Sequence, residues 1–247
     1  MRHAAFVALA LAACAAPAFA GPDGAIELYP NSINPDGFTG PVDFGACVVT
    51  ETVLFGGILH KVAFSVYARL YGATTAGISG AEFYVEGVET SQLPAGWTRT
   101  ILLSPGALAM GDISEPHIEG AETVRRVNLT WSVDGPEDPD CQKNYLTFLA
   151  RIELLSSFGM VTPIAQQTWV RVMSGNPPSD HHLVAPSLTL CDFPQFTPLC
   201  EPGGALIINP YDPSSDICQT AQAVDIQSAC TVSVENETWS GVKSLYR

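Results

Sequence analysis

The stretch HKVAFSVYARLY (60–71) decides the fold class, because its apolar residues recur at every second position. Val62, Phe64, Val66, Ala68 and Leu70 share one phase, and Lys61, Ser65, Tyr67 and Arg69 share the other. Successive side chains of an extended chain point to opposite faces, so this pattern makes a half-buried strand, whereas a helix would scatter it around its circumference. A second such run, AEFYVEGV (81–88), sets Ala81, Phe83 and Val85 against Glu82, Tyr84 and Glu86. Between the two, GATTAGISG (72–80) holds three glycines and small residues, so the pair reads as strand, loop, strand with antiparallel pairing.

The same signal continues along the chain in WTRTILL (97–103), TVRRVNLTWSV (123–133), NYLTFLARIELL (144–155) and QTWVRVM (167–173). In the third of these, Leu146, Phe148, Ala150, Ile152 and Leu154 fall in one phase and are expected on one face. Shorter strands are expected at AIELY (25–29), DFGACVVT (43–50), SLTLC (187–191), ALIIN (205–209) and CTVSV (230–234). Many short strands broken by polar turns, with no long helical pattern, describe an all-β antiparallel sandwich of immunoglobulin-like type. Composition shifts near NPPSD (176–180) toward proline and cysteine. The expected organisation is therefore a leader over 1–20, a sandwich over 21–175 and a disulfide-stapled extension over 176–247 that packs on the sandwich.

The leader MRHAAFVALALAACAAPAFA has Arg2 and His3 before an apolar run and ends in the small-x-small tripeptide Ala18-Phe19-Ala20, the pattern of a secretory signal cleaved after Ala20. Within it, Leu11 to Cys14 matches a bacterial lipobox, which would instead make Cys14 a lipidated anchor. Both processing routes lead out of the cytoplasm, to the extracellular space or the cell envelope. No later stretch has the run of about twenty apolar residues that a transmembrane helix needs. Once Cys14 is excised or lipidated, six cysteines remain, and in an exported protein they are expected as disulfides. Proximity along the chain pairs Cys191 with Cys200 and Cys218 with Cys230, leaving Cys47 for Cys141.

The 247 residues carry 11 Lys and Arg against 25 Asp and Glu, a net charge of −14, which repels phosphate backbones and disfavours nucleic acid as a partner. Hydrophobic residues at 47% and charged residues at 15% exclude a disordered chain. Among chemical motifs, SDHHLVAPSLTLC (179–191) brings His181 and His182 near Cys191, but adjacent histidines on a strand point apart. No nucleophile elbow accompanies any serine, and His60 and His117 are isolated. The loop VDGPEDPDC (133–141) gathers Asp134, Glu137, Asp138 and Asp140, the hard oxygen ligands that calcium takes, although at a spacing unlike an EF-hand. Calcium at this loop is the one cofactor the sequence raises.

The segment VYARLYGATTAGISGAEFYVEGV (66–88) resembles the strand, Gly-Ile-x-Gly-(Ala)-Glu-Phe, strand pattern of cohesin-like extracellular bacterial β-sandwiches. LTLCDFPQFTPLCEPGGALIINP (188–210), with the final CTVSVENETWSGVKSLYR (230–247), is similar to exported bacterial proteins without an assigned activity. These resemblances imply a non-catalytic module whose partner is a protein or a glycan at the cell surface. The outward phases of the two opening strands, with Tyr67, Arg69, Glu82 and Tyr84, are the expected binding surface. The alternative is an exported hydrolase that cleaves glycans through paired carboxylates.

Overall fold

The computed structural model describes residues 24–30, 48–50, 53–55, 59–70, 77–113, 116–119, 121–144, 146–159, 161–166, 168–177, 179, 185–192, 195–199 and 204–209. The leader with Cys14, the cysteines 47, 200, 218 and 230, the histidines 181 and 182, and the expected strand at 230–234 lie outside them. Fifteen strands and no helix occur among the described residues.

The first sheet joins β1 (Gly24–Pro30), β3 (Val53–Phe55), β4 (Leu59–Leu70), β11 (Leu146–Ser156) and β6 (Trp97–Leu103), in the order β1-β4-β11-β6 with β3 also on β4. The second contains β14 (Phe196–Pro198), β13 (Ser187–Leu190), β5 (Ile78–Glu86), β12 (Thr168–Met173), β15 (Ala205–Ile208) and β2 (Val48–Thr50), with β10 (Val127–Thr130) and β7 (Leu108–Ala109) branching from β5. A separate hairpin pairs β8 (His117–Glu119) with β9 (Glu122–Val124). All pairings are antiparallel except β15 with β2, which run parallel.

Period two places the core as the alternation predicts. Val62, Phe64 and Val66 of β4 face Ala81, Phe83 and Val85 of β5, and all six belong to one buried cluster that also takes Ile26, Leu129, Ile152 and Leu206. The expected hairpin between β4 and β5 does not form, because β4 pairs with β1, β3 and β11 while β5 pairs with β10, β12 and β13. Two strands with one apolar face each bury both faces by stacking across a core, and that outcome replaces edge-to-edge pairing here.

A second departure lies in β11. The register shifts between Phe148 and Ala150, so Leu146 and Phe148 sit opposite Arg69 and Tyr67, while Ala150, Ile152 and Leu154 sit opposite Val66, Phe64 and Val62. One extra residue, the buried Leu149, reverses the phase, which is what a β-bulge does. Leu146 and Phe148 therefore leave the core face that unbroken alternation assigns them. The segment after residue 176 is built into the second sheet over its described part, with β13 on β5 and β15 on β12.

On one side the sandwich is closed, since β1 lies beside β15 and β2. Gly204 N–H donates to Ile26 O at 2.8 Å there, and Val172 N–H donates to Gly204 O at 3.0 Å. A side chain at 204 would meet Leu28 N at 2.7 Å and Glu27 Cα at 2.9 Å, so only glycine lets the sheets approach this closely. The opposite side is bounded by β6 and β7, joined through Ser104-Pro105-Gly106-Ala107.

Candidate functional site

The two strands expected to share a binding surface present their outward phases on opposite faces of the sandwich, because β4 and β5 belong to different sheets. Neither outward phase is open. Tyr67 is 7% exposed, edge-on to Tyr29 with centroids 6.4 Å apart and tilted against Phe148 at 5.4 Å. The guanidinium of Arg69 donates to the Glu27 carboxylate beside them. Cross-strand register explains the seal: Tyr67 lies opposite Glu27 on one side and Phe148 on the other, and long side chains on three adjacent strands cover one another. Burial, reinforced by the nearby Tyr29 phenol and only partly offset by a hydrogen bond with Ser65, holds the Tyr67 hydroxyl above the usual tyrosine range.

On the other face, Glu82 is 1% exposed and its carboxylate accepts hydrogen bonds from Ser179 N–H at 3.0 Å and from the Asn128 amide at 3.4 Å. Tyr84 is also buried, its hydroxyl donating to the Glu89 carboxylate, which accepts Gly87 N–H at 3.0 Å as well. Tyr67, Glu82 and Tyr84 are therefore packing groups, and Arg69 is an ion-paired one, in place of the expected exposed surface. The buried carboxylates Glu27 and Glu82 stand on opposite outer faces, each with its own partners, and do not form a hydrolytic pair.

The acidic loop folds as a self-capped turn. Asp138 takes both hydrogen bonds inward, Oδ2 from Asp134 N–H at 3.0 Å and Oδ1 from Asp140 N–H at 2.8 Å. Those two amides lower its pKa below the ordinary carboxylate value. Asp134, Glu137 and Asp140 point to solvent, and no group of three metal-ligating side chains converges among the described residues. The expected calcium ligands lie in a turn closed on the Asp138 carboxylate.

Cys141 is bonded to Cys191, fifty residues apart, in place of both expected pairings of these cysteines. Cys191 N–H donates to Gly77 O at 3.1 Å, and Ile78 exchanges backbone hydrogen bonds with Gln142, so both half-cystines are held against the start of β5. Gly77 adopts a φ of 68°, and a side chain there would lie 2.3 Å from Cys141 Sγ. Nearness in sequence fails as a guide because β5 collects the two distant segments. The Cys218 with Cys230 pairing lies outside the described residues.

Among the described residues six large apolar side chains are exposed: Ile118 lies on the β8–β9 hairpin and Met173 on β12, and the other four lie on or beside the open side. Of β6, Thr98, Thr100 and Leu102 face outward, with Leu102 46% exposed. Just past the crossover, Leu108 is 59% and Met110 56% exposed. Phe158, 73% exposed, borders the start of β6, where Ser157 N–H bonds to Gly96 O and Ser156 pairs with Trp97. The Trp131 indole N–H donates to Pro105 O at 3.4 Å and ties the crossover to the start of the acidic loop. The sequence carried a signal for this edge: Leu102 sits in the same phase as Thr98 and Thr100, so an apolar residue occupies the solvent face of a strand.

No protein-family model matches the sequence, and no curated protein does either. Among solved structures, the seventh ScaB type I cohesin from Pseudobacteroides cellulosolvens aligns at 9% identity with a TM-score of 0.38, over 77% of this chain and 96% of that one. The CFA/I enterotoxigenic E. coli adhesin CfaE aligns at 10% identity with a TM-score of 0.30, over 74% of this chain and 48% of that one.

Proposed function

We propose that the protein is an exported, non-catalytic β-sandwich that binds a protein partner through the open edge formed by β6, the 104–107 crossover and β7. The observation that carries this reading is the exposure of Leu102, Leu108, Met110 and Phe158 around β6, the crossover and β7, while the outward phases of β4 and β5 are covered by their own side chains. Large apolar groups gathered on one border mark an interaction site more than the same groups scattered singly. Export is supported by the leader pattern and by the Cys141 to Cys191 bond, which persists in an oxidising compartment.

The test uses the purified mature protein, immobilised and presented in turn with secreted and envelope proteins of the producing cell and with its wall polysaccharides. A saturable protein partner is expected that the Leu102→Lys/Leu108→Lys variant fails to retain, with no product released from the polysaccharides. Release of reducing sugar from the polysaccharides would replace binding with hydrolysis.

A further inference from the structure

The ribbon Trp97–Met110 borders the open side without interruption and carries a single charged residue, Arg99. Across its seven residues β6 is hydrogen-bonded to β11 on one side, and among the described residues no strand pairs with its other side. At about 3.3 Å per residue this leaves roughly 23 Å of backbone edge. Natural edges are blunted by proline, lysine, a bulge or an inward-pointing charge; Thr98, Thr100 and Leu102 are none of the first three, and Arg99, in the inward phase, is the single charge on the strand. Threonine, isoleucine and tryptophan are strand formers, so the edge is held extended before anything meets it.

We infer that β6 accepts an extended, basic segment of a protein partner as an added strand, its apolar side chains lying against Leu102 and, beyond the crossover, Leu108. The occupant's charge follows from the surroundings. The chain carries −14, and the loop tied to the crossover through Trp131 presents Asp134, Glu137 and Asp140 to solvent. Asp138 adds a carboxylate kept ionised by two backbone amides. A lysine- or arginine-bearing strand gains from this net field, against which Arg99 is the one cation on the ribbon, and an acidic one is rejected by it. A second copy of the chain is the poorer occupant, since two chains of −14 repel each other.

This inference rests on the edge-binding reading above, and its test separates the two. The probe is a fluorescein-labelled peptide, Lys-Val-Thr-Val-Lys-Val-Thr-Val-Lys, added to the full mature chain, with a Glu-for-Lys version and a version with proline at the central lysine. Saturable binding of the lysine peptide is expected, at least about tenfold weaker for the other two and for the Leu102→Lys/Leu108→Lys variant. Amide hydrogen exchange across 97–103 is expected to slow on binding, a change that side-chain docking alone would not produce. Equal binding of the proline peptide, or unchanged exchange in 97–103, overturns strand addition. Concentration-dependent dimerisation that protects the same amides overturns the choice of partner in favour of a second copy. If these peptides fail while the natural partner is still lost from Leu102→Lys/Leu108→Lys, the edge remains the binding site and the added strand does not.

Discussion

Removing the Cys141 to Cys191 bond tests how the sandwich is held together. The bond closes a loop with a sequence separation of 50. On the chain-entropy relation a loop of that length restricts the unfolded chain by about 14 cal/mol/K, or about 4 kcal/mol at 25 °C. The same bond fixes the start of β5, the strand to which β10, β12 and β13 are all paired, so its loss loosens the second sheet at its hub. In Cys141→Ala/Cys191→Ala the urea midpoint should therefore fall by more than about 1 M, since urea slopes run about 1–3 kcal/mol/M. The double variant avoids the stray thiol that either single variant leaves free to mispair. The assay is equilibrium unfolding followed by tryptophan fluorescence, since Trp97 and Trp131 are both buried. An unchanged midpoint would refute the assignment of stability to this bond, and a non-reducing peptide map joining Cys191 to Cys200 would refute the bond itself.

Further outcomes follow from individual groups. Phe64, fully buried in the core, should cost about 3–5 kcal/mol when cut to alanine, read as a shift in the same unfolding curve. Leu102→Lys, at an exposed position, should stay within about 0.5 kcal/mol. Because burial raises the Tyr67 pKa in the folded state, its contribution is full below the unfolded value of about 10 and is lost as pH rises through the higher folded value. Alkaline unfolding midpoints should accordingly depend less on pH in Tyr67→Phe. The lowered Asp138 pKa works in the opposite direction: its contribution is present above the unfolded value of about 3.9 and is lost as pH falls through the lower folded value. Asp138→Asn should flatten the acid limb of the stability profile, and an unaltered limb would show that the turn's two amide bonds do not stabilise the fold.

Much of the fold was legible in the sequence because period two is a local property. WTRTILL coincides with β6, and the inward phases of β4 and β5 are the core. Three features were not legible, each because it depends on a neighbour distant in sequence. The bulge at Leu149 exists only relative to the register with β4. The partner of Cys191 is chosen by β5, which gathers residues 141 and 191 at its start. The outward phase of β4 looks solvent-facing in isolation, yet Tyr29, Glu27 and Phe148 on the flanking strands close over it. The candidate surface thus moved from residues whose polarity suggested exposure to Leu102 and Leu108, whose apolar character on an edge made them conspicuous only once the edge was known.

Hydroxyl-radical footprinting of the native protein, read by mass spectrometry, tests the central claim that the free apolar surface runs along β6, the crossover and β7 and not over the outward phases of β4 and β5. Met110, Phe158, Leu102 and Leu108 should be oxidised rapidly, while Tyr67 and Tyr84 stay protected until denaturant unfolds the chain. Rapid oxidation of Tyr67 and Tyr84 in the folded protein, with Met110 and Phe158 protected, would contradict it.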